Sequence, residues 1–253
     1  MEQGGRILII DFSNFEDYPI GGYLSFASNL VSAFGSTLAL VGITTDPGDP
    51  TGRWFKKSIR GETFDFFAFA RYKKTRTKHL IPDRLITYLL IRFYRRRIGQ
   101  IGIRNLFIQR QEVLLAIETD HMNICFSFAG LENPLSISKY WYSQLIARPF
   151  EGFFFKKLER VQVILARGDD RAIADLMERS CGVLSRKAIV KFPTRINTDV
   201  FKPLDKTYAR AKLGLPVSKT FVVTTGRLAK FKGWEFMLEC FQDFCKISQD
   251  SIF

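Results

Sequence analysis

The sequence predicts an α/β fold, with a Rossmann-like parallel sheet as the N-terminal domain and the first strand–helix unit of a second Rossmann-like domain after it. Short apolar runs alternate with longer segments of helical period along most of the 253 residues, 46% of which are hydrophobic. Such alternation is typical of a parallel sheet covered by helices on both faces. A proline-containing stretch without periodicity interrupts the alternation near residue 193, and a second alternation begins beyond it.

Seven N-terminal runs are predicted strands because they are short, apolar and rich in β-branched or aromatic residues. They span residues 6–11, 36–43, 63–70, 105–109, 123–128, 161–166 and 188–192. The predicted helices between them span residues 23–34, 84–101, 111–119, 139–159 and 170–180. Asp83 is expected to cap the second helix, and Asp169 and Asp170 are expected to cap the last one rather than to bind a metal.

The interruption predicts three parts: an N-terminal domain at 1–192, a linker at 193–206, and the start of a C-terminal domain at 207–253. The linker contains two prolines and several turn-forming residues, and it lacks periodicity. Residues 221–253 hold about one strand–helix unit. One such unit cannot cover both faces of a sheet, so we expect the second domain to be incomplete and the chain to be truncated within it.

The net charge of +13 is concentrated in one region of the chain. Between Arg53 and Arg110, sixteen lysines and arginines stand against three acidic residues, which equals the whole excess. Within 84–110, apolar side chains interleave with arginines, and the cluster expected to bind a membrane comprises Arg92, Arg95, Arg96 and Arg97. A helix lying on an anionic lipid surface and a core helix with a solvated basic face both fit this pattern. Nucleic acid fits it less well, because no binding motif is present and the aromatic residues follow core spacing.

Cysteine and histidine content argues against a metal site. Four cysteines lack metal-ligand spacing and only two histidines are present, so no metal or other cofactor is expected.

Thiols without a disulfide pattern fit a reducing compartment, and the charged N-terminus does not resemble a signal peptide. The uncharged stretch 18–45 contains proline and several glycines, so we interpret it as loop, helix and strand. We expect a cytoplasmic protein, located peripherally on the inner face of the cell membrane if the basic helix binds lipid.

Two glycine-bearing turns between a strand and a helix are candidate phosphate sites, since this arrangement presents backbone N–H groups and a positive dipole end. The first is Gly21-Gly22, which a simple flexible turn also explains. The second is Gly226, which is followed by Arg227 and Lys232. A guanidinium offers a planar fork for phosphate oxygens and an ammonium offers a point charge. A solvated basic loop is the alternative interpretation of this second turn.

The context of the second turn resembles a known family. The stretches "FPTRINTDVFKP" (192–203), "KLGLP" (212–216) and "VVTTGRLAKFKGWEFMLECF" (222–241) together resemble family 4 glycosyltransferases of the GT-B fold, in order and in spacing. "FAGLENPLSISKYW" (128–141) looks like the central loop of that family. The resemblance covers nearly the whole chain, and its specific part lies between residues 192 and 241.

The resemblance implies transfer of a sugar from a nucleoside-diphosphate sugar to a glycan or lipid-linked acceptor, with retention and without a metal. It implies that Arg227 and Lys232 stabilise the negative charge of the departing diphosphate. It also implies that Gly226 binds this diphosphate and that Gly21 and Gly22 approach the diphosphate or the acceptor.

Two departures from the family pattern bear on activity. Ala129 stands where the family commonly has a histidine against the donor sugar, and His121 is expected to be an ordinary surface residue. The family's paired glutamates lie beyond the residues present here, and Glu235 and Glu239 are expected to face solvent instead. We therefore expect the 253-residue chain to be inactive alone. A non-catalytic remnant or a basic membrane-surface module on the same fold stays the alternative.

Overall fold

The chain divides into two compact units, residues 1–195 and residues 196–253. The structure is a computed structural model. It describes residues 5–74, 81–136, 138, 140, 142–184, 189–193, 196, 198–226, 233–247 and 251–252.

An eight-stranded sheet forms the centre of the first unit, in the order β3-β4-β2-β1-β5-β6-β7-β8. The strands are β1 (Ile7–Ile10), β2 (Leu38–Thr44), β3 (Trp54–Ile59), β4 (Glu62–Arg71), β5 (Asn105–Ile108), β6 (Asn123–Phe128), β7 (Val163–Ala166) and β8 (Ile189–Lys191). Every neighbouring pair is parallel except β3 and β4. The α/β class with a mainly parallel sheet, predicted from the alternation, is confirmed.

Helices cover the two faces of this sheet unequally. They are α1 (Gly22–Phe34), α2 (Asp83–Gly99), α3 (Gln111–Ala116), α4 (Ser143–Leu158) and α5 (Asp170–Arg179). Phe26 and Val31 of α1 pack with Ile9 and Leu40 on one face of the sheet. The alternate strand residues pack with buried residues of α2 to α5 on the other face. Side chains of a strand point to opposite faces in turn, so one apolar strand serves both cores.

The antiparallel strand β3 was not predicted. Its residues were assigned only to the basic region between Arg53 and Arg110. Arg60 and Gly61 form a two-residue connection between β3 and β4, with φ of 52° and 85°. Positive φ at both positions is the conformation of tight hairpin turns, and glycine favours it. The Arg-Gly pair between two runs that contain aromatic residues is the signal that identifies this hairpin.

The predicted helix caps have mixed outcomes. Asp83 is not the N-cap of α2, because Pro82 takes that position and Asp83 is the first helical residue. A carboxylate in the first turn still interacts favourably with the helix dipole. Asp169 caps α5 as predicted, since its side chain accepts a hydrogen bond of 2.8 Å from the Ala172 amide. Asp170 pairs with Lys191 at 2.7 Å.

The second unit contains α6 (Lys206–Lys212), β9 (Thr220–Phe221), α7 (Trp234–Ile247) and β10 (Ser251–Ile252). β10 lies parallel to β9, so the described residues form a strand–helix–strand unit, one strand more than the sequence analysis assigned. Asp205 caps α6 by accepting from the Tyr208 amide at 2.8 Å. Glu235 and Glu239 are exposed, as predicted.

Candidate functional site

The carboxyl edge of the first sheet contains a cavity of about 340 Å³. The strand order reverses at β1, which lies between β2 and β5, and ligands of open α/β sheets bind at such a switch point. Residues that follow β5, β6 and β7, together with the start of α1, line the cavity. They include Tyr23, Gln109, Ala129, Gly130, Glu132 and Arg167.

The glycine pair stands at the start of α1, directly before Tyr23. A Cβ atom added to Gly21 or to Gly22 would meet no heavy atom within 4 Å. Packing therefore does not require glycine at either position, and the space beside the backbone is open to a ligand. The carbonyl oxygen of Gly21 accepts a hydrogen bond of 3.0 Å from the Ser25 amide, which fixes the first turn of the helix.

A largely buried ion network adjoins the cavity through Arg84 and Tyr23, which line it. The Arg110 Nε donates to Asp11 Oδ1, and Arg110 Nη1 is 3.6 Å from Glu112 Oε1. Arg84 Nη1 donates to the other oxygen of Glu112 at 2.9 Å. The Arg110 guanidinium lies 4.2 Å from the centre of the Tyr23 ring. Burial disfavours the charge on Arg110, but the carboxylates of Asp11 and Glu112 outweigh burial, so the pKa of Arg110 lies above its ordinary value.

Arg167 has a different environment from Arg110. Its Nη2 donates to Gln109 Oε1 at 3.2 Å and to Ser127 Oγ at 3.5 Å, and its guanidinium lies 3.9 Å from the centre of the Phe26 ring. These partners are all uncharged. Its Nε is buried and has no partner among the described residues. Burial lowers the pKa of Arg167, although the neighbouring Tyr23 partly opposes this effect.

Of the three residues predicted to bind the diphosphate in the second unit, the structure describes Gly226. Gly226 is exposed after β9, and a Cβ atom there would be 3.7 Å from Trp234 Cζ2. Arg227 and Lys232 lie outside the described residues. Their assigned roles stay predictions.

The structure describes both Ala129, which stands at the family's histidine position, and the nearby His121. Ala129 lines the cavity after β6, so a small side chain stands where the resemblance places a histidine. His121 is exposed in the turn before β6, with a φ of 62°, as expected for a surface residue. None of the described residues that line the cavity is a histidine.

The four arginines expected to bind a membrane divide into two kinds. Arg95 donates to Glu118 at 2.7 Å, and Arg97 donates to the carbonyl oxygen of Gly52 at 3.2 Å. Arg92, Arg96 and Arg97 are exposed, and Arg95 is partly buried. An apolar stripe follows the same helix at intervals of four residues and is exposed, with fractions of 46%, 54% and 74% for Leu85, Leu89 and Phe93. Spacing of four places residues on one side of a helix.

The described residues hold no group of three or more His, Cys, Asp or Glu side chains that could bind a metal ion. The four cysteines are all free, as predicted. Within the described parts of the chain, every helix is too short or too polar to cross a membrane.

The fold of the chain has solved counterparts. A sucrose-phosphate synthase from Thermosynechococcus elongatus matches 92% of this chain with 58% of its own, at 16% identity and a TM-score of 0.62. An α,α-trehalose-phosphate synthase (UDP-forming) from Burkholderia vietnamiensis matches 97% with 63% of its own, at 14% identity and a TM-score of 0.52. A trehalose-6-phosphate synthase matches 92% with 61% of its own, at 12% identity and a TM-score of 0.53.

These similarities show the fold. The matched proteins have the GT-B fold of Rossmann-like domains, and the present chain spans about three-fifths of their length. No family model and no curated protein matches the sequence. Membership of family 4 in particular stays a prediction.

Several residues of the cavity region were missed by the sequence analysis. Asp11 follows β1, Gln109 and Arg110 follow β5, and Arg167 follows β7. Their positions in the sequence could have identified them, because a polar residue that closely follows a buried parallel strand lies at the edge of the sheet where ligands bind.

Proposed function

We propose that the chain serves in a glycosyltransferase that moves a sugar from a nucleoside-diphosphate sugar to a glycan or lipid-linked acceptor, with retention and without a metal. The observation that carries the proposal is the cavity at the switch point of a Rossmann-like sheet, in a fold that matches synthases of sucrose phosphate and trehalose phosphate. The resemblance of residues 192–241 to family 4 supports the choice of donor.

In this proposal the chemistry is electrostatic. Bond breaking leaves positive character on the sugar and negative charge on the departing diphosphate. Arg227 and Lys232 stabilise that negative charge, and the Gly226 backbone allows the phosphates to approach. The Gly21-Gly22 turn offers N–H groups at a helix start to the diphosphate or to the acceptor.

Nucleotide binding tests the proposed roles of the two cations. We expect the chain to bind one nucleoside diphosphate of a panel containing different bases, as measured by isothermal titration calorimetry. Replacing Arg227 or Lys232 by glutamine should weaken this binding by about tenfold to a hundredfold, because a hydrogen bond to a charged group contributes about 1.5–3 kcal/mol. Lys246→Gln, in an exposed pair with Asp243 on α7, is the matched control and should bind as the wild type does.

A nucleotide that binds equally to all variants would contradict the assignment of Arg227 and Lys232. Absence of binding across the whole panel would favour the alternative, a non-catalytic protein on the same fold. In this alternative the protein has the same fold and cavity but binds no nucleotide-sugar donor.

Peripheral binding of the cytoplasmic protein to an anionic membrane is a second part of the proposal. The exposed apolar stripe of α2 supports it, since Leu89 and Phe93 offer apolar surface beside the exposed cations of Arg92 and Arg96. Helices that lie in a lipid interface combine these two features. Each cation near such a surface contributes about 1 kcal/mol.

Sedimentation with anionic vesicles tests the membrane proposal. Phe93→Ser should reduce the bound fraction by removing an aromatic anchor, and Arg92→Glu with Arg96→Glu should abolish binding to anionic vesicles at low salt. Phe34→Ser is the control, because Phe34 is 48% exposed and ends the helix on the opposite face of the sheet. Equal binding by all variants, or none by the wild type, would show that α2 has only a solvated basic face.

A further inference from the structure

Arg167 is a half-buried cation without a counter-charge among the described residues. Its partners are the amide oxygen of Gln109, the hydroxyl of Ser127 and the ring of Phe26. Arg110, which follows the neighbouring strand β5, is paired with two carboxylates. The two arginines therefore lie near the same edge of one sheet, but the charge of Arg110 is balanced by carboxylates and the charge of Arg167 is not.

The uncompensated state of Arg167 is energetically unfavourable by itself. A buried charge normally has an ionic partner, because neutral dipoles replace only part of the lost hydration. The ring face of Phe26 stabilises the charge only in part. The Nε of Arg167 forms no bond at all among the described residues. The buried Nε is closed to a ligand, so an oxyanion in the cavity would bind the part of the guanidinium that lines it.

Other charged residues near the cavity do not offer the same opportunity. Arg84 lines the cavity but donates to Glu112 at 2.9 Å, and Arg110 is paired with Asp11 and Glu112. Glu132 is the acidic lining residue, and it is exposed and forms no bond with Arg167. Arg167 is therefore the lining cation whose charge is available to a ligand.

We infer that the cavity binds an oxyanion, a phosphate or a carboxylate, and that Arg167 is its principal ligand. This anion belongs to the acceptor, an assignment that rests on the proposed glycosyl transfer, because the proposed donor phosphates are assigned to other residues. A cavity of about 340 Å³ has room for the anionic group together with a small organic body. The inference thus narrows the acceptor class from any glycan or lipid-linked sugar to one with a negatively charged group.

The test uses inorganic phosphate and acetate as probes of the full chain, with ionic strength held constant by chloride. We expect phosphate or acetate to raise the thermal unfolding temperature of the wild type saturably, and the more effective probe identifies the kind of oxyanion. Arg167→Gln should weaken the affinity for this probe by at least about tenfold. Arg160→Gln is the matched control, since Arg160 precedes the same strand β7, is exposed, and pairs with Asp120 at 3.3 Å. It should respond as the wild type does.

Folding of the variants is measured in the same experiment. Without anion, Arg167→Gln should unfold at or above the wild-type temperature, because an unpaired charge has been removed. If this variant does not fold, Arg167→Lys is the variant to test. It keeps the positive charge but lacks the planar guanidinium, so it should bind the probe more weakly than the wild type. A folded Arg167 variant with unchanged affinity would overturn the inference, as would a wild type that responds to neither probe.

The result is separable from that of the proposed function. Nucleotide binding that depends on Arg227 and Lys232, with no response to either probe, would support the proposed donor site and contradict the anion site. An Arg167-dependent response with no nucleotide binding would keep the anion site and remove its assignment to an acceptor.

Discussion

Gly42→Ala is expected to destabilise the first unit by about 4 kcal/mol or more, which is a large part of the stability of an ordinary domain. A Cβ atom at Gly42 would lie 2.2 Å from the carbonyl oxygen of Ser13 and 2.7 Å from a ring carbon of Phe15. The first contact is with backbone, and Phe15 is fully buried, so neither group can move aside cheaply. Urea unfolding followed by circular dichroism measures the loss.

Gly152→Ala is the matched control for this substitution. Gly152 is exposed within α4, and a Cβ atom there would meet nothing within 4 Å. Alanine is the better helix former, so this variant should gain about 1 kcal/mol. A Gly42→Ala protein as stable as the wild type would mean that the loop after β1 does not pack against β2 as described.

The close approach at Gly42 also positions the candidate site. The Ile43 amide donates to the Ser13 carbonyl oxygen at 3.0 Å, on the residue after Gly42, and the register of β2 against β4 shifts at the same point. The loop held there begins with Asp11, which pairs with Arg110, and it leads on to Gly21 at the start of α1. A glycine in the middle of a buried strand therefore fixes residues at the edge of the cavity.

The alternation of strands and helices was predictable because it depends on local composition. Runs such as Leu38–Thr44 are apolar almost throughout, as expected of a strand buried on both faces, and the structure buries every residue of β2. The hairpin strand β3 was not predicted, because its burial is mixed and its two central lysines resemble a solvated segment. Register and strand order depend on contacts between distant residues, which a single sequence does not display.

The candidate site was predictable only where a motif marks it. Glycine pairs are visible in a sequence, whereas the pairing of Asp11 with Arg110 spans 99 positions and is visible only in the fold. The difference between Arg110 and Arg167 is likewise a property of their surroundings, since both are single arginines after a short apolar strand. Whether a cation is compensated follows from the residues that tertiary structure brings to it.

Arg110→Gln is expected to lower the free energy of unfolding by about 3–5 kcal/mol, because it leaves the buried Asp11 carboxylate without its counter-ion. Asp11 is fully buried, and its Oδ2 already lacks a partner among the described residues, so loss of Arg110 leaves the whole charge unpaired. Urea unfolding measures the change. Arg160→Gln, which removes a pair whose side chains are 66% and 74% exposed, should change stability by less than about 1 kcal/mol.

A double variant distinguishes loss of charge pairing from loss of packing. Asp11→Asn removes the carboxylate, so Arg110→Gln should cost less in that background than in the wild type, because Glu112 keeps its bond to Arg84 at 2.9 Å. Equal costs in both backgrounds would mean that Arg110 stabilises the site mainly by packing its guanidinium against the rings of Tyr23 and Phe12. A smaller cost in the Asp11→Asn background would instead show that Arg110 stabilises this edge of the sheet mainly by balancing the charge of Asp11.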